Sequence, residues 1–359
     1  MTEQNSAEPN SEEMFAGTME VPERTRFDEA ALQAYMEEHV EGFTGNLEVE
    51  QFRGGQSNPT YKLQAGGTSY VMRRKPPGEL LPSAHAVDRE FKVISALQET
   101  DVPVAKTYCL CTDESIVGTW FYIQEHVEGR IFWLPSLPDM TPDQRGPIFD
   151  AMNDAIAKLH NVDVDAVGLG DFGKRTDYIA RQINRWSKQY KASETEDIPA
   201  MNNLMTWLPD NMPTRDECSV VHGDYRLDNM IFHPTEPRVL AILDWELATL
   251  GDPIADFTYN CQQWYLPPDL FNGLLVPDLA ETGIPPIEDY VSAYCRRTGR
   301  EKIENFEFYI AYNLFRLAGI MQGIMGRYVD GTASSDYAKN MGEQAKPVAE
   351  VAWALAKKI

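Results

Sequence analysis

Between Val221 and Glu246 the sequence spells a β-hairpin with oxygen-bearing side chains at its ends. Two apolar runs, Met230 to Phe232 and Val239 to Leu243, flank the turn-forming stretch Pro234 to Pro237. Asn229 therefore falls just before one strand and Asp244 just after the other. The hairpin is preceded by His222-Gly223-Asp224-Tyr225-Arg226-Leu227-Asp228, so Asp224 and Asn229 are five residues apart on one tight loop. Histidine, glycine and aspartate are common in turns, because Gly supplies unusual backbone angles and Asp accepts local hydrogen bonds. Asn229 at this offset, and Asp244 across a hairpin, add what a turn does not need. A carboxylate with two oxygen ligands for a divalent cation is the set required for phosphoryl transfer from a metal nucleotide.

The segments on either side differ in kind. From Leu47 the pattern is of short strands, Leu47 to Phe52, Thr60 to Leu63 and Ser69 to Arg73, separated by Gly54-Gly55 and Gly66-Gly67. Val87, Phe91, Ile94 and Leu97 mark one face of a helix over Ala84 to Leu97, and the strands Val104 to Cys111 and Trp120 to Val127 complete a five-stranded lobe. After Glu128-Gly129 the pattern turns helical, with long helices expected over Glu288 to Arg296, Phe306 to Tyr328 and Ala333 to Lys357. The expected fold class is α+β: a small antiparallel β lobe, 44–128, and a larger, mainly helical lobe, 129–359. Residues 1–43 form an acidic leader and a first helix near Asp28 to Glu38. A nucleotide would lie in the cleft between such lobes.

Composition excludes several classes. A net charge of −23 argues against a nucleic-acid partner, which needs clustered Lys and Arg. Residues 1–50 hold 13 acidic and 2 basic side chains, about half of that charge, so the acidity says little about a site elsewhere. Five cysteines, none in a C-x-x-C pair, argue against a disulfide or metal framework and fit a reducing, cytoplasmic setting, with Cys109 and Cys111 expected as buried thiols on one strand face. The longest apolar helix, Leu314 to Val329, is interrupted by Arg316, Gln322 and Arg327 and is too polar for membrane insertion. The helix surfaces leave the oligomeric state open.

His222, Asp224 and Asn229 fall on the register of the protein kinase catalytic loop H-R-D-x-x-x-x-N, but Gly223 replaces the arginine and Asp244 is followed by Trp245-Glu246 in place of Phe-Gly. An Asp171-Phe172-Gly173 triplet precedes the loop in the chain and so reads as a loop or helix start. The sequence resembles the aminoglycoside phosphotransferase family of small-molecule kinases, whose fold is protein kinase-like and two-lobed. The run Asp244-Trp245-Glu246-Leu247-Ala248-Thr249-Leu250-Gly251-Asp252-Pro253, with Arg73 to Gly78 and Leu81 to Glu90, is similar to a subfamily that includes kinase-like domains fused to acyl-CoA dehydrogenases.

The resemblance implies an ATP-dependent phosphotransferase using Mg2+, with GTP also open as donor and a small-molecule hydroxyl as acceptor. Asp224 would be the base, Asn229 and Asp244 the metal ligands, and Arg226 a contact to the transferred group or a brace for its loop. In Phe52-Arg53-Gly54-Gly55-Gln56-Ser57-Asn58 the glycines let backbone approach phosphate while Ser57 and Asn58 donate, although a glycine pair in a hairpin also serves as a plain turn. Arg73 takes the position the family gives to lysine, with Glu90 as partner. Arg74 or Lys75 could be the inward residue instead, or both could be solvated strand charge. Gln124-Glu125-His126-Val127 resembles the segment joining the lobes, with backbone at Glu125 and Val127 facing the base. Asp252-Pro253 reads as a helix start, and the resemblance makes Asp256 a buried support for the catalytic loop. A hydroxyacyl acceptor follows from the dehydrogenase-fused relatives. An aminoglycoside or other amino alcohol, or a nucleotide-binding pseudokinase scaffold, is the alternative.

Overall fold

The computed structural model describes residues 17–53, 58–78, 85–215, 217–333 and 335–359. The chain divides into two compact units. One comprises residues 1–133, 230–235 and 240–246, the other residues 134–229, 236–239 and 247–359.

The first unit is built on an antiparallel sheet. Its strands are β1 (Thr18–Met19), β2 (Glu48–Phe52), β3 (Thr60–Ala65), β4 (Thr68–Arg74), β5 (Thr107–Cys111) and β6 (Phe121–Glu125), in the order β1-β2-β3-β4-β6-β5. Strand alternation buries Tyr61, Leu63, Tyr70 and Met72 on one face, against Leu32 and Met36 of helix α1 (Glu29–His39). Gly66 and Gly67 close the β3–β4 hairpin with φ of +57° and +82°, the two left-handed residues that a two-residue turn of this twist requires. Helix α2 (Val87–Leu97) packs against β5 and β6. A short helix, α3 (Glu114–Val117), joins the last two strands.

Five of these strands match the sequence pattern. The sixth, β1, comes from the stretch read as a leader: Thr18 and Met19 pair with Phe52 and Gln51. Arg74 also departs from expectation. It shares the buried face with Tyr70 and Met72, is 3% exposed, and donates to Thr119 Oγ1 at 2.8 Å and the Thr25 carbonyl at 3.1 Å. Its guanidinium lies 5.3 Å from the Phe27 ring centre, so it is an interior cation and not solvated charge.

The second unit is mainly helical: α4 (Pro142–His160), α5 (Tyr178–Ala192), α6 (Pro199–Asp210), α7 (Pro253–Cys261), α8 (Ile287–Arg297), α9 (Phe306–Val329), α10 (Asp336–Glu343) and α11 (Ala345–Ala356). Helix α9 packs against α5, α7, α10 and α11 and is buried along most of its length. The single helix expected over 333–357 is two helices, Asp336–Glu343 and Ala345–Ala356, with Pro347, which has no N–H to donate, in the first turn of the second. Two strands of this unit, β7 (Ser219–Val221) and β10 (Thr249–Gly251), pair antiparallel, and β8 (Met230–Phe232) pairs with β9 (Val239–Ile242) as the expected hairpin. Asp171-Phe172-Gly173 lies in a loop after α4. Among the described residues no helix is long and apolar enough to cross a membrane.

Candidate active site

Strand β7 is wholly buried and runs directly into His222, which is 0% exposed. Gly223 follows with φ +85°, and a Cβ there would stand 2.9 Å from the Leu247 carbonyl oxygen, so the turn needs glycine. Helix α7 supplies the loop's main support. It is capped by Asp252, whose Oδ1 accepts from the Ile254 and Ala255 N–H groups, and Pro253 occupies its first position. One turn on, the buried Asp256 takes the His222 N–H on Oδ2 at 2.7 Å and the Gly223 N–H on Oδ1 at 2.8 Å. His160 Nε2 lies 3.1 Å from the same Oδ2, and its Nδ1 lies 2.8 Å from the Tyr294 hydroxyl. Burial pushes the Asp256 carboxyl up, but these hydrogen bonds and the nearby imidazoles outweigh it and hold the group below its ordinary range.

On this base stands Asp224, its own N–H donated to His222 Nδ1 at 3.2 Å. Asn229 Nδ2 donates to Asp224 Oδ2 at 3.1 Å and to the Asp224 carbonyl at 3.0 Å, so the five-residue spacing does bring the two side chains together. Burial raises the Asp224 carboxyl, while Arg226, His222, Arg316 and the Tyr259 hydroxyl lower it, with a net shift below the usual carboxylate value. Arg226 is paired locally. Its Nη2 lies 2.5 Å from Asp228 Oδ2, its Nε 3.7 Å from Asp224 Oδ1, and its guanidinium 5.6 Å from the Phe271 ring centre. Burial takes the Asp228 carboxyl above its ordinary value despite Arg226.

The remaining candidates belong to the first unit. Arg73 Nε is 2.9 Å from Glu90 Oε2, and its Nη2 is 2.7 Å from Asp244 Oδ1 and 3.6 Å from Glu246 Oε2. One guanidinium thus faces three carboxylates. Glu90 is 1% exposed, and burial pushes its carboxyl up to about 7 against the pull of Arg73. Asn58 donates to Glu90 Oε1 at 2.9 Å and meets His85 Nδ1 through its oxygen at 3.0 Å, while the Tyr122 hydroxyl donates to Glu90 Oε2 at 3.2 Å. Asn58 is therefore tied to Glu90. Gly54, Gly55 and Ser57 lie outside the described residues. Lys75 is 4.0 Å from the Trp120 ring centre and 3.7 Å from Asp88, on a different partner set from Arg73. Asp244 adopts φ +63°, a left-handed conformation that Asp tolerates at modest cost, and the Trp245 indole N–H fastens this end of the hairpin to the Ile242 carbonyl at 2.9 Å. At the end of β6 the Glu125 N–H donates to the Lys106 carbonyl at 2.7 Å; Val127 follows, half-buried, after His126, which stacks on Phe52.

Residues 48–306 match the family described as phosphotransferase enzyme family. The chain belongs to this family. It is 46% identical over 333 residues to mouse acyl-CoA dehydrogenase family member 10, covering 91% of this chain and 31% of that protein. The chain spans less than half the length of the curated relatives it matches. Among solved structures, a Ralstonia eutropha protein provisionally named an aminoglycoside phosphotransferase is 56% identical, with a TM-score of 0.87 and coverage of 93% of this chain and 99% of that one. Choline kinase from Cryptosporidium parvum, 10% identical with a TM-score of 0.62 over 92% of this chain and 97% of that one, shares the fold. As in other kinase-like phosphotransferases, a β lobe and a helical lobe make up the chain, and the fold class read from the sequence holds.

Each expected metal ligand presents an oxygen. Asn229 uses its amide nitrogen on Asp224, which leaves its oxygen for a cation, and Asp244 offers a carboxylate that is 35% exposed. Among the described residues no group of three His, Cys, Asp or Glu could hold a metal alone. Sequence reading missed Tyr259 and named Arg316 without placing it at the catalytic loop; both are near Asp224. The first lies one helical turn past Asp256, a spacing that alone carries no chemical signal.

Proposed function

We propose that this chain moves the γ-phosphate of magnesium ATP to a hydroxyl of a small molecule, a hydroxyacyl compound being the favoured acceptor. The observation that supports it best is the Asn229 amide seated on the Asp224 carboxylate at 3.1 Å, on a loop whose backbone is hydrogen-bonded to a buried aspartate. Asp224 accepts the acceptor's hydroxyl proton and aims its oxygen at the γ-phosphorus; the new O–P bond forms as the bond to the β-phosphate oxygen breaks, and ADP leaves. Asn229 and Asp244 would each offer an oxygen to magnesium, which would offset the charge on the phosphates. Arg73, kept in place by Glu90, contacts the phosphates through its fork of donors. Arg226 orients the transferred group, exchanging Asp228 for phosphate when the nucleotide is present.

The acyl preference draws on the name of the mouse relative, an acyl-CoA dehydrogenase family member longer than this chain. An amino sugar is the second reading, favoured by the provisional name of the Ralstonia protein. A panel of hydroxyacyl-CoAs, amino sugars and choline-like alcohols, assayed for ADP release and for phosphate on the acceptor, separates them. Phosphate transfer to amino sugars alone overturns the acyl reading, and transfer to none of the panel overturns both.

A further inference from the structure

Arg316 lies in the middle of α9 and is 5% exposed. Its Nη2 donates to the Gly223 carbonyl at 2.5 Å, and its guanidinium stands 4.5 Å from the Tyr259 ring centre and 5.3 Å from that of Trp186. Its Nε is buried with no hydrogen-bond acceptor among the described residues. An incompletely satisfied cation in the interior costs stability, and an apolar side chain of similar volume would fill the space better. Stability alone therefore does not account for an arginine here.

The geometry around it does. Gly223 is gripped on both sides of its Cα, its N–H by Asp256 from α7 and its C=O by Arg316 from α9. Tyr259, three residues after Asp256 on α7, places its ring beneath the guanidinium. The peptide before Asp224 is thus held by one stacked pair. We propose that Arg316 is a positioning residue for Asp224: it locks the Gly223 carbonyl, and the Tyr259 ring beneath the guanidinium keeps it in place. The proposal rests on the reading of Asp224 as the base.

Two readouts test it on the full chain. The first is hydrogen–deuterium exchange of the segment 221–229 without nucleotide, for wild type, Arg316→Met, Arg316→Lys and Tyr259→Phe. Loss of one hydrogen bond to a charged donor corresponds to about ten- to a hundredfold in a local opening equilibrium, so Arg316→Met exchanges faster by that factor. Arg316→Lys, which can still donate once, lies between. Tyr259→Phe keeps the stack and exchanges as wild type does. The second is steady-state transfer to the best acceptor: kcat falls in Arg316→Met with KM for ATP unchanged, and Arg316→Lys recovers part of the loss. Unchanged exchange in Arg316→Met, or faster exchange with kcat intact, overturns the proposal. Should Arg316→Met fail to fold, the Lys variant carries the same comparison. If the wild type transfers phosphate to no acceptor, the functional reading fails, while exchange still decides whether Arg316 holds the loop.

Discussion

Replacing Asp256 by Asn is the sharpest probe of how the loop is held. The side chain accepts the His222 N–H at 2.7 Å, the Gly223 N–H at 2.8 Å and a bond from His160 Nε2 at 3.1 Å, all in the interior. Asn fits the same space but presents an NH2 where one carboxylate oxygen stood, so at least one buried N–H then faces a donor. A hydrogen bond to a charged group contributes about 1.5–3 kcal/mol, and a buried donor left unsatisfied costs about 1–3 kcal/mol. The two overlap, and the expected loss is about 3–5 kcal/mol, a large part of a typical domain's stability. Urea unfolding at neutral pH measures it directly. The sign with pH is also fixed. Because the Asp256 carboxyl is held below its unfolded value, its contribution is present above about pH 4 and lost as pH falls through the folded value, so the gap between wild type and variant narrows in acid. A gap under about 1 kcal/mol at neutral pH, smaller than one such hydrogen bond, would refute this reasoning.

Other perturbations follow from the same geometry. Gly223→Ala places a Cβ 2.9 Å from the Leu247 carbonyl at φ +85°, so it loses about 1–2 kcal/mol from backbone strain alone; a thermal midpoint equal to that of wild type would show the turn to be otherwise. Glu90, raised to about 7 by burial, keeps its proton in the folded chain at pH values where the unfolded chain has lost it. Its contribution is therefore full below about pH 4 and declines as pH rises through about 7, a slope that Glu90→Gln removes in unfolding curves compared at pH 5 and pH 8. Asp244→Asn retains a residue that tolerates the left-handed backbone, so its urea midpoint stays near that of wild type while calorimetry finds that magnesium no longer strengthens ATP binding.

Periodicity made much of the first unit legible, since β3 and β4 alternate residue by residue and Val87, Ile94 and Leu97 share a helix face. Where local signal was thin, reading failed. Two residues, Thr18 and Met19, are too few to carry a strand pattern, and β1 exists because Phe52 and Gln51 offer it an edge. In α6, Met201, Leu204 and Leu208 have helical spacing, but Asn202-Asn203 and Pro209 masked it. Alternation separated Arg73 from Arg74 correctly, yet it could not tell that the face taken by Arg74 was the interior one. The loop's residue types were visible as a motif because spacing along the chain set them. Of their supports, Asp256 was named only through the family resemblance and Arg316 was not named as one: Asp256 meets Gly223 across 33 residues and Arg316 meets it across 93, distances at which no periodicity relates them.

The central claim is that Asp224 performs base chemistry on a hydroxyl. Comparing wild type and Asp224→Asn for phosphate transfer, with ATP affinity measured in parallel, tests it most directly. Positioned base catalysis contributes about a hundred- to ten-thousandfold, so the variant should lose turnover on that scale while binding ATP as wild type does. Equal ATP consumption by the two proteins would contradict it.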